Sequence, residues 1–168
     1  MDNYVVYGLS GLCRIIGLKR IKTNKGESDF FVLKPLSAPD ETVYIDTQNE
    51  ILTKKMRPVV SREEIFELIE QLHSAHLPWI SDTRERRLSY YNILSSGNRL
   101  EQLALIKSLY ERRAELTARK KKLWVMDEKA LKSAENIIFT EFAVVLGISP
   151  DEVPDLIASV PGSGEGGF

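Results

Sequence analysis

One stretch of the chain combines residue types that are suited to binding a nucleic acid. A tryptophan, Trp79, lies in a segment marked by Pro78. Three arginines follow it closely: Arg84, Arg86 and Arg87. Because proline disfavours helical geometry in the residue before it, we predict that one helix ends near His76 and another begins after Ser81. The arginines then lie at a helix N-terminus, where the helix dipole disfavours cations, and this placement points to a polyanionic partner.

The same stretch also fits a simpler interpretation. Trp79 can be a buried core side chain, and the arginines can coat a solvated helix face. A second cationic run, Arg119-Lys120-Lys121-Lys122, is open to both interpretations, because charged runs are usually just solvated. The charge distribution favours a nucleic-acid surface, since residues 84–135 carry 13 basic and 7 acidic side chains in a chain whose net charge is -1.

The sequence offers little that could support catalysis or hold a metal ion. His73 and His76 are three residues apart, but no carboxylate or cysteine nearby completes a ligand set, so we expect surface histidines. No P-loop, dinucleotide-binding glycine pattern or nucleophile–base arrangement is present. We therefore expect a protein that is not an enzyme and that carries no cofactor and no metal.

Composition and length indicate a soluble globular protein. The chain has 168 residues, of which 43% are hydrophobic and 28% are charged, and no apolar run is long enough to span a membrane. Met1-Asp2-Asn3 does not begin a secretion signal. The single cysteine, Cys13, fits a reducing compartment and is expected to be a small apolar residue in a strand. We expect a cytoplasmic protein.

The chain divides into a β half and a helical half, so the predicted fold class is α+β. Residues 1–57 contain short β-branched and aromatic runs separated by glycine, proline and asparagine, which favours a small curled sheet or barrel. The predicted strands are Tyr4–Tyr7, Leu12–Leu18, Phe30–Leu33, Thr42–Ile45 and Met56–Arg57, with a turn at Asn24-Lys25-Gly26.

Residues 58–158 have the apolar spacing of helices. The predicted helices begin at the Ser61–Glu64 capping box, near Asp82, near Arg99, at Asp127 as a cap, and at the Ser149–Glu152 capping box. In the second helix we predict that Leu88, Tyr91 and Leu94 lie on one face. Gly97 and Gly147 are the expected helix C-caps, and residues 159–168 are predicted to be a disordered tail.

The order of these features resembles the CarD family of bacterial transcription regulators, whose N-terminal module is shared with the transcription-repair coupling factor. The resemblance covers about residues 3–157. The segments that carry it are Val5-Val6-Tyr7, Asp29–Pro35, Thr42–Ile45, Met56–Val59, Trp79, Arg86-Arg87, Leu94–Asn98, Leu109–Arg113 and Asp127-Glu128-Lys129.

The resemblance implies a Tudor-like β-barrel, residues 1–57, that docks on the β subunit of RNA polymerase. It implies that residues 58–158 form a helical domain that meets promoter DNA at the upstream edge of the transcription bubble. There Trp79 is expected to wedge into the minor groove and hinder collapse of the open complex, with little sequence readout. We expect a monomer located at the nucleoid.

The implied polymerase contact departs from the family pattern. Positions that hold arginines in the family are Ile21 and Tyr44 here, with Arg20 and Lys22 beside the first. This departure leaves two alternatives: a more apolar contact, or an alignment shifted by one residue. Two other functions remain open: a protein-interaction scaffold without DNA contact, and a free-standing DNA-binding protein of architectural type.

Overall fold

The computed structural model describes residues 3–161. These residues divide into two compact units between Val59 and Val60, close to the boundary predicted after residue 57. The first unit contains an antiparallel sheet and the second is helical, which confirms the α+β class. Within the described range, no helix combines the length and the apolarity that a membrane crossing requires.

The N-terminal unit is built on one five-stranded antiparallel sheet with the order β4-β3-β2-β1-β5. The strands are β1 (Tyr4–Tyr7), β2 (Gly11–Thr23), β3 (Gly26–Pro35), β4 (Val43–Asp46) and β5 (Met56–Arg57). The described pairings leave β4 and β5 as two edges, so the sheet is not closed and the predicted barrel is not confirmed. A four-residue helix, α1 (Glu50–Thr53), was not predicted; the Asn49 side chain caps it.

The β2–β3 hairpin is longer than the sequence predicted. Both strands continue through exposed polar residues up to a two-residue loop, where Thr23 pairs with Gly26. Cys13 lies in β2 with no exposed surface, and this burial raises the pKa of its thiol to about 11. It therefore serves as a small apolar core residue, as predicted, beside Leu33 and Ile45.

The second unit consists of helices around one large apolar core. They are α2 (Arg62–Leu72), α3 (Thr83–Ser96), α4 (Arg99–Ala118), α5 (Val125–Leu146), a 3₁₀ turn (Pro150–Glu152) and α6 (Val153–Ser159). Both predicted capping boxes are present, and Gly97 and Gly147 end their helices in the left-handed conformation, as expected. Because α6 reaches Ser159, the predicted tail does not begin there; its residues 162–168 lie outside the described part.

The buried face of α3 is not the face that Leu88, Tyr91 and Leu94 were predicted to share. Leu88 and Tyr91 are 60% and 59% exposed, whereas Tyr90, Ile93 and Leu94 are buried. The helix is rotated because a charged residue, Arg86, occupies the buried face one turn before Tyr90.

A buried carboxylate fixes the start of the helical unit. Glu141 in α5 accepts hydrogen bonds from Arg99 Nε and Nη2, both at 2.7 Å, and from the Val60 backbone N–H at 2.9 Å. Because Glu141 is almost completely buried, these donors compensate for its lost hydration. The contact ties the first residue of the unit and the N-terminus of α4 to α5.

Helix α4 ends in a hydrogen-bonding pattern that favours glycine. The Lys121 N–H donates to Leu116 O at 2.7 Å and the Lys120 N–H donates to Thr117 O at 2.9 Å, which is a Schellman motif. Lys120 has φ 57°, and among residues 3–161 it is the one non-glycine residue with positive φ. A side chain with a Cβ is strained in this conformation.

We expect Lys120→Gly to raise the free energy of unfolding by about 0.5–1 kcal/mol, because glycine removes this strain. Urea or thermal unfolding of the full chain measures the change. Lys120→Ala is the matched control, since it removes the charge but keeps the Cβ, and it should give no gain. An equal gain from both variants would show that the lysine charge, and not the backbone conformation, is destabilising.

Candidate functional site

Trp79 lies on the surface, in the loop between α2 and α3. Its side chain is 38% exposed, so it is not the fully buried core residue of the simpler interpretation. A cavity of about 150 Å³ adjoins its ring and is lined mainly by apolar side chains, including Leu77 and Leu109. The ring therefore borders the core without filling it.

Arg86 is one of the predicted DNA contacts, and the structure places it inside the protein. It is 5% exposed, and its Nε donates to Asp127 Oδ1 at 2.9 Å. Its Nη1 donates to the backbone carbonyls of Ile80 and Ser81 at 3.1 and 3.3 Å, and its Nη2 to Asp127 Oδ2 at 3.4 Å. A guanidinium whose three nitrogens all donate to buried or backbone acceptors is not placed to bind a DNA phosphate. This placement argues against a direct phosphate contact by Arg86, which stays a prediction.

The partner of Arg86 has a different role from the one predicted for it. Asp127 was expected to cap α5, but Trp124 is the N-cap residue and makes no side-chain cap bond. Asp127 is 3% exposed and also accepts a hydrogen bond from the Tyr90 hydroxyl at 2.5 Å. Burial, and then the Asp127 carboxylate, raise the pKa of Tyr90, so its hydroxyl remains a donor. Arg86, Tyr90 and Asp127 form a buried network, which we call the anchor network.

The anchor network holds the Trp79 loop. Arg86 donates hydrogen bonds to the carbonyls of the two residues after Trp79, Ile80 and Ser81. Its guanidinium carbon lies 4.6 Å from the centroid of the Trp79 ring. A second guanidinium, that of Arg112 in α4, lies 4.7 Å from the same centroid. Cations over an indole face are attracted by its quadrupole. The ring is therefore held by two charged groups from two helices.

Another tryptophan shares this cluster. The Arg86 guanidinium carbon lies 5.7 Å from the centroid of the Trp124 ring, and Trp124 is 64% exposed. Sequence reasoning missed Trp124, and it also missed the contacts that Arg112 and Tyr90 make. A signal for Trp124 was available, because it lies two residues after a cationic run, and aromatic residues combined with cations are a feature of sites that bind single-stranded nucleic acid.

The remaining predicted DNA contacts are exposed. Arg84 and Arg87 lie on the outer face of the first turns of α3, whose N-terminus is capped by Asp82. The run Arg119-Lys120-Lys121-Lys122 follows the C-terminus of α4, where the helix dipole favours cations. Its position is therefore explained by helix electrostatics as well as by a polyanionic partner.

The residues implied in polymerase binding lie on two faces of the N-terminal sheet. Tyr44 in edge strand β4 pairs with Val32, which pairs with Gly17, and strand alternation places Ile21 on the same face as Tyr44. Four residues of strand separate these two rows, or roughly 13 Å. Lys19 also lies on this face, 5.8 Å from the Tyr44 ring.

Arg20 and Lys22 point to the opposite face of the sheet. Arg20 pairs with Glu27 at 3.2 Å and with Asp29 at 3.3 Å across the hairpin. These exposed pairs are worth little energy, so the guanidinium remains able to exchange partners. The structure thus brings Ile21 and Tyr44 to one face and separates Arg20 and Lys22 from them.

The N-terminal unit is similar to a known family of domains. A sequence model of the CarD-like/TRCF RID domain matches residues 2–60. Residues 2–60 are therefore similar to a CarD-like RNA polymerase-interacting domain. The resemblance predicted from the sequence is confirmed over this range, and the match supports an RNA polymerase-interacting role. No curated protein matches the chain.

We expect Asp127→Asn to lower the free energy of unfolding by about 3–5 kcal/mol, because it leaves the Arg86 charge buried without a counterion. Chemical denaturation of the full chain measures this loss. The matched control is Glu115→Gln, which breaks the exposed Arg112–Glu115 pair and should cost under about 0.5 kcal/mol. A similar, small effect of the two substitutions would mean that the anchor network does not stabilise the domain.

Proposed function

We propose that this protein is a non-enzymatic transcription regulator that binds the β subunit of RNA polymerase through its N-terminal sheet and stabilises the open promoter complex. Trp79 inserts at the upstream edge of the transcription bubble, in the minor groove. The observation that carries the proposal is a part-exposed tryptophan in a loop fixed by a buried ion pair and next to exposed cations. The protein acts in the cytoplasm, as a monomer at the nucleoid.

The proposed wedge needs a ring that is ordered before it meets DNA. Inserting an apolar side chain between base pairs costs a few kcal/mol of unstacking, and least where the duplex is already distorted. The anchor network reduces the further entropic cost, because Arg86 already fixes the loop through Ile80 and Ser81. Trp79 therefore approaches the bubble edge in a defined position.

The phosphate contacts are assigned differently from the sequence prediction. Arg84 and Arg87 keep this role because they are exposed beside the loop. Arg112 joins them in place of Arg86. Its pair with Glu115 is long, at 3.6 Å, and the Glu115 side chain is 63% exposed, so the guanidinium can leave Glu115 for a phosphate. These contacts supply affinity without reading sequence.

The N-terminal sheet supplies the polymerase contact. β4 is an edge strand of four residues and presents Tyr44, which is 45% exposed. An extended segment of the β subunit can pair with such an edge through backbone hydrogen bonds, while exposed side chains provide specificity. Tyr44 and Ile21 then form the apolar part of the contact.

Trp79→Ala should abolish the lifetime extension that the wild-type protein gives to open promoter complexes, because the wedge is lost. The measurement is the dissociation rate of heparin-challenged open complexes formed with RNA polymerase. Leu88→Ala is the matched control, since Leu88 is an exposed apolar residue of α3 outside the Trp79 loop, and it should retain the extension.

Equal lifetimes with Trp79→Ala and wild type would eliminate the wedge mechanism. The scaffold alternative makes a separate prediction, because a protein without DNA contact shows no salt-dependent DNA binding. Binding of the full chain to promoter DNA should instead weaken steeply as salt concentration rises.

Tyr44→Ala should weaken binding of the full chain to RNA polymerase by about tenfold, the effect of losing one well-placed aromatic contact. Surface plasmon resonance with immobilised polymerase measures the change. The control is Ile51→Ala, which removes a residue of the same unit that is 73% exposed, and it should leave the affinity unchanged. If both variants bind as well as wild type, the edge at β4 is not the docking surface.

A further inference from the structure

Trp124 is an exposed aromatic residue whose position is not explained by stability. It is 64% exposed, so its ring gains little from burial. It occupies the N-cap position of α5, where serine, threonine, aspartate and asparagine are preferred, and it makes no side-chain cap bond. The neighbouring Val125 is 70% exposed. Two successive exposed apolar side chains at a helix start indicate a surface that contacts something else.

The Trp124 ring lies close to the Trp79 ring. The guanidinium carbon of Arg86 lies 4.6 Å from the centroid of the Trp79 ring and 5.7 Å from that of the Trp124 ring. The two ring centroids therefore cannot be farther apart than the sum of these distances. Arg86 uses its in-plane N–H groups for Asp127 and for the loop carbonyls, which leaves its flat faces for the rings. Trp79, Arg86 and Trp124 thus form one cluster, which we call the two-ring cluster.

The two rings differ in how accessible they are. Trp79 contacts two guanidinium groups, those of Arg86 and Arg112, and is 38% exposed. Trp124 contacts that of Arg86, and its exposed fraction is larger. Trp124 is therefore the ring of the cluster with more surface available for stacking.

The charges near Trp124 identify the class of ligand. The exposed run Arg119–Lys122 ends two residues before it, and Arg113 lies beside Lys122 and Val125 in the lining of a surface groove. Lysine residues are depleted in protein–protein interfaces. In contrast, cations beside an exposed aromatic ring can bind the phosphates of a single-stranded nucleic acid while the ring stacks on a base. In a duplex the base faces are covered by neighbouring pairs, so a ring that stacks on an unpaired base avoids the cost of separating base pairs.

We propose that Trp124 is a second DNA-contacting residue, which stacks on an unpaired base of single-stranded DNA while the Arg119–Lys122 run holds the adjacent phosphates. This inference rests on the proposed function, in which Trp79 acts at the edge of the bubble. It extends that function because Trp124 and the Arg119–Lys122 run bind the single-stranded DNA next to the bubble edge.

The test uses the full chain and a fluorescently labelled oligothymidylate, with binding followed by fluorescence anisotropy. Trp124→Ala should weaken binding roughly 5- to 100-fold, the range expected for the loss of one base–aromatic stack. Trp124→Phe should retain most of the affinity, because it keeps a ring. Val125→Ala is the matched control, since it removes an equally exposed neighbour, and it should bind as wild type does. Binding to a fully paired duplex should be the same for all four proteins.

The outcomes separate this inference from the proposed function. Wild-type affinity for oligothymidylate in Trp124→Ala, or no binding by the wild-type protein, overturns the role of Trp124. Neither result affects the open-complex lifetime, which tests Trp79. If Trp124→Ala instead weakens binding to RNA polymerase and leaves oligothymidylate binding intact, the ring contacts protein and the inference is also overturned.

Discussion

The helical unit depends on one buried ion pair, Arg86 with Asp127. The two groups are 41 residues apart in sequence and nearly inaccessible to water. Removing two charges from water is costly, and the pair is tolerated because nearly every donor and acceptor finds a partner. Asp127 accepts hydrogen bonds from Arg86 and Tyr90, and Arg86 also donates hydrogen bonds to two carbonyls of the Trp79 loop. The geometry of α3, α5 and the loop is therefore set by a single connected network, because a misplaced element leaves a buried charge unpaired.

This network also explains why Trp79 lies at the surface. A loop that ended with an apolar anchor could let the ring turn into the adjoining cavity, where more apolar surface would be buried. Arg86 instead donates a hydrogen bond to the Ile80 carbonyl, directly after Trp79, and its guanidinium contacts the Trp79 ring. The cation–π contacts from Arg86 and Arg112 provide stabilisation that does not require full burial. The loop is consequently held at both its backbone and its ring, while part of the ring remains exposed.

Sequence patterns predicted the elements well and the site only in part. Period-two and helical spacing located all five strands and the longer helices, because these patterns depend on local burial. Two failures in the helical unit involve the same buried ion pair. The buried face of α3 was not recognised because a buried arginine is invisible to an apolar pattern, and Asp127 was taken for a cap because its partner is remote in sequence. The exposure of Trp79 was consistent with the prediction, whereas the contacts of Arg112 and Trp124 arise only when three elements meet.

Not all basic side chains of residues 84–135 contribute to the positive charge of the surface. Three of these side chains serve the interior: Arg86 in the anchor network, Arg99 on Glu141, and Lys107, whose Nζ donates to Leu72 O at 3.1 Å at the end of α2. The exposed cationic surface is therefore smaller than the sequence count indicates. In the proposed function, binding of the N-terminal domain to polymerase makes the DNA contact intramolecular and raises the effective concentration of the helical unit at the promoter. A modest DNA affinity would then limit binding away from polymerase, so under this proposal the modest charge and the recruiting domain are two parts of one mechanism.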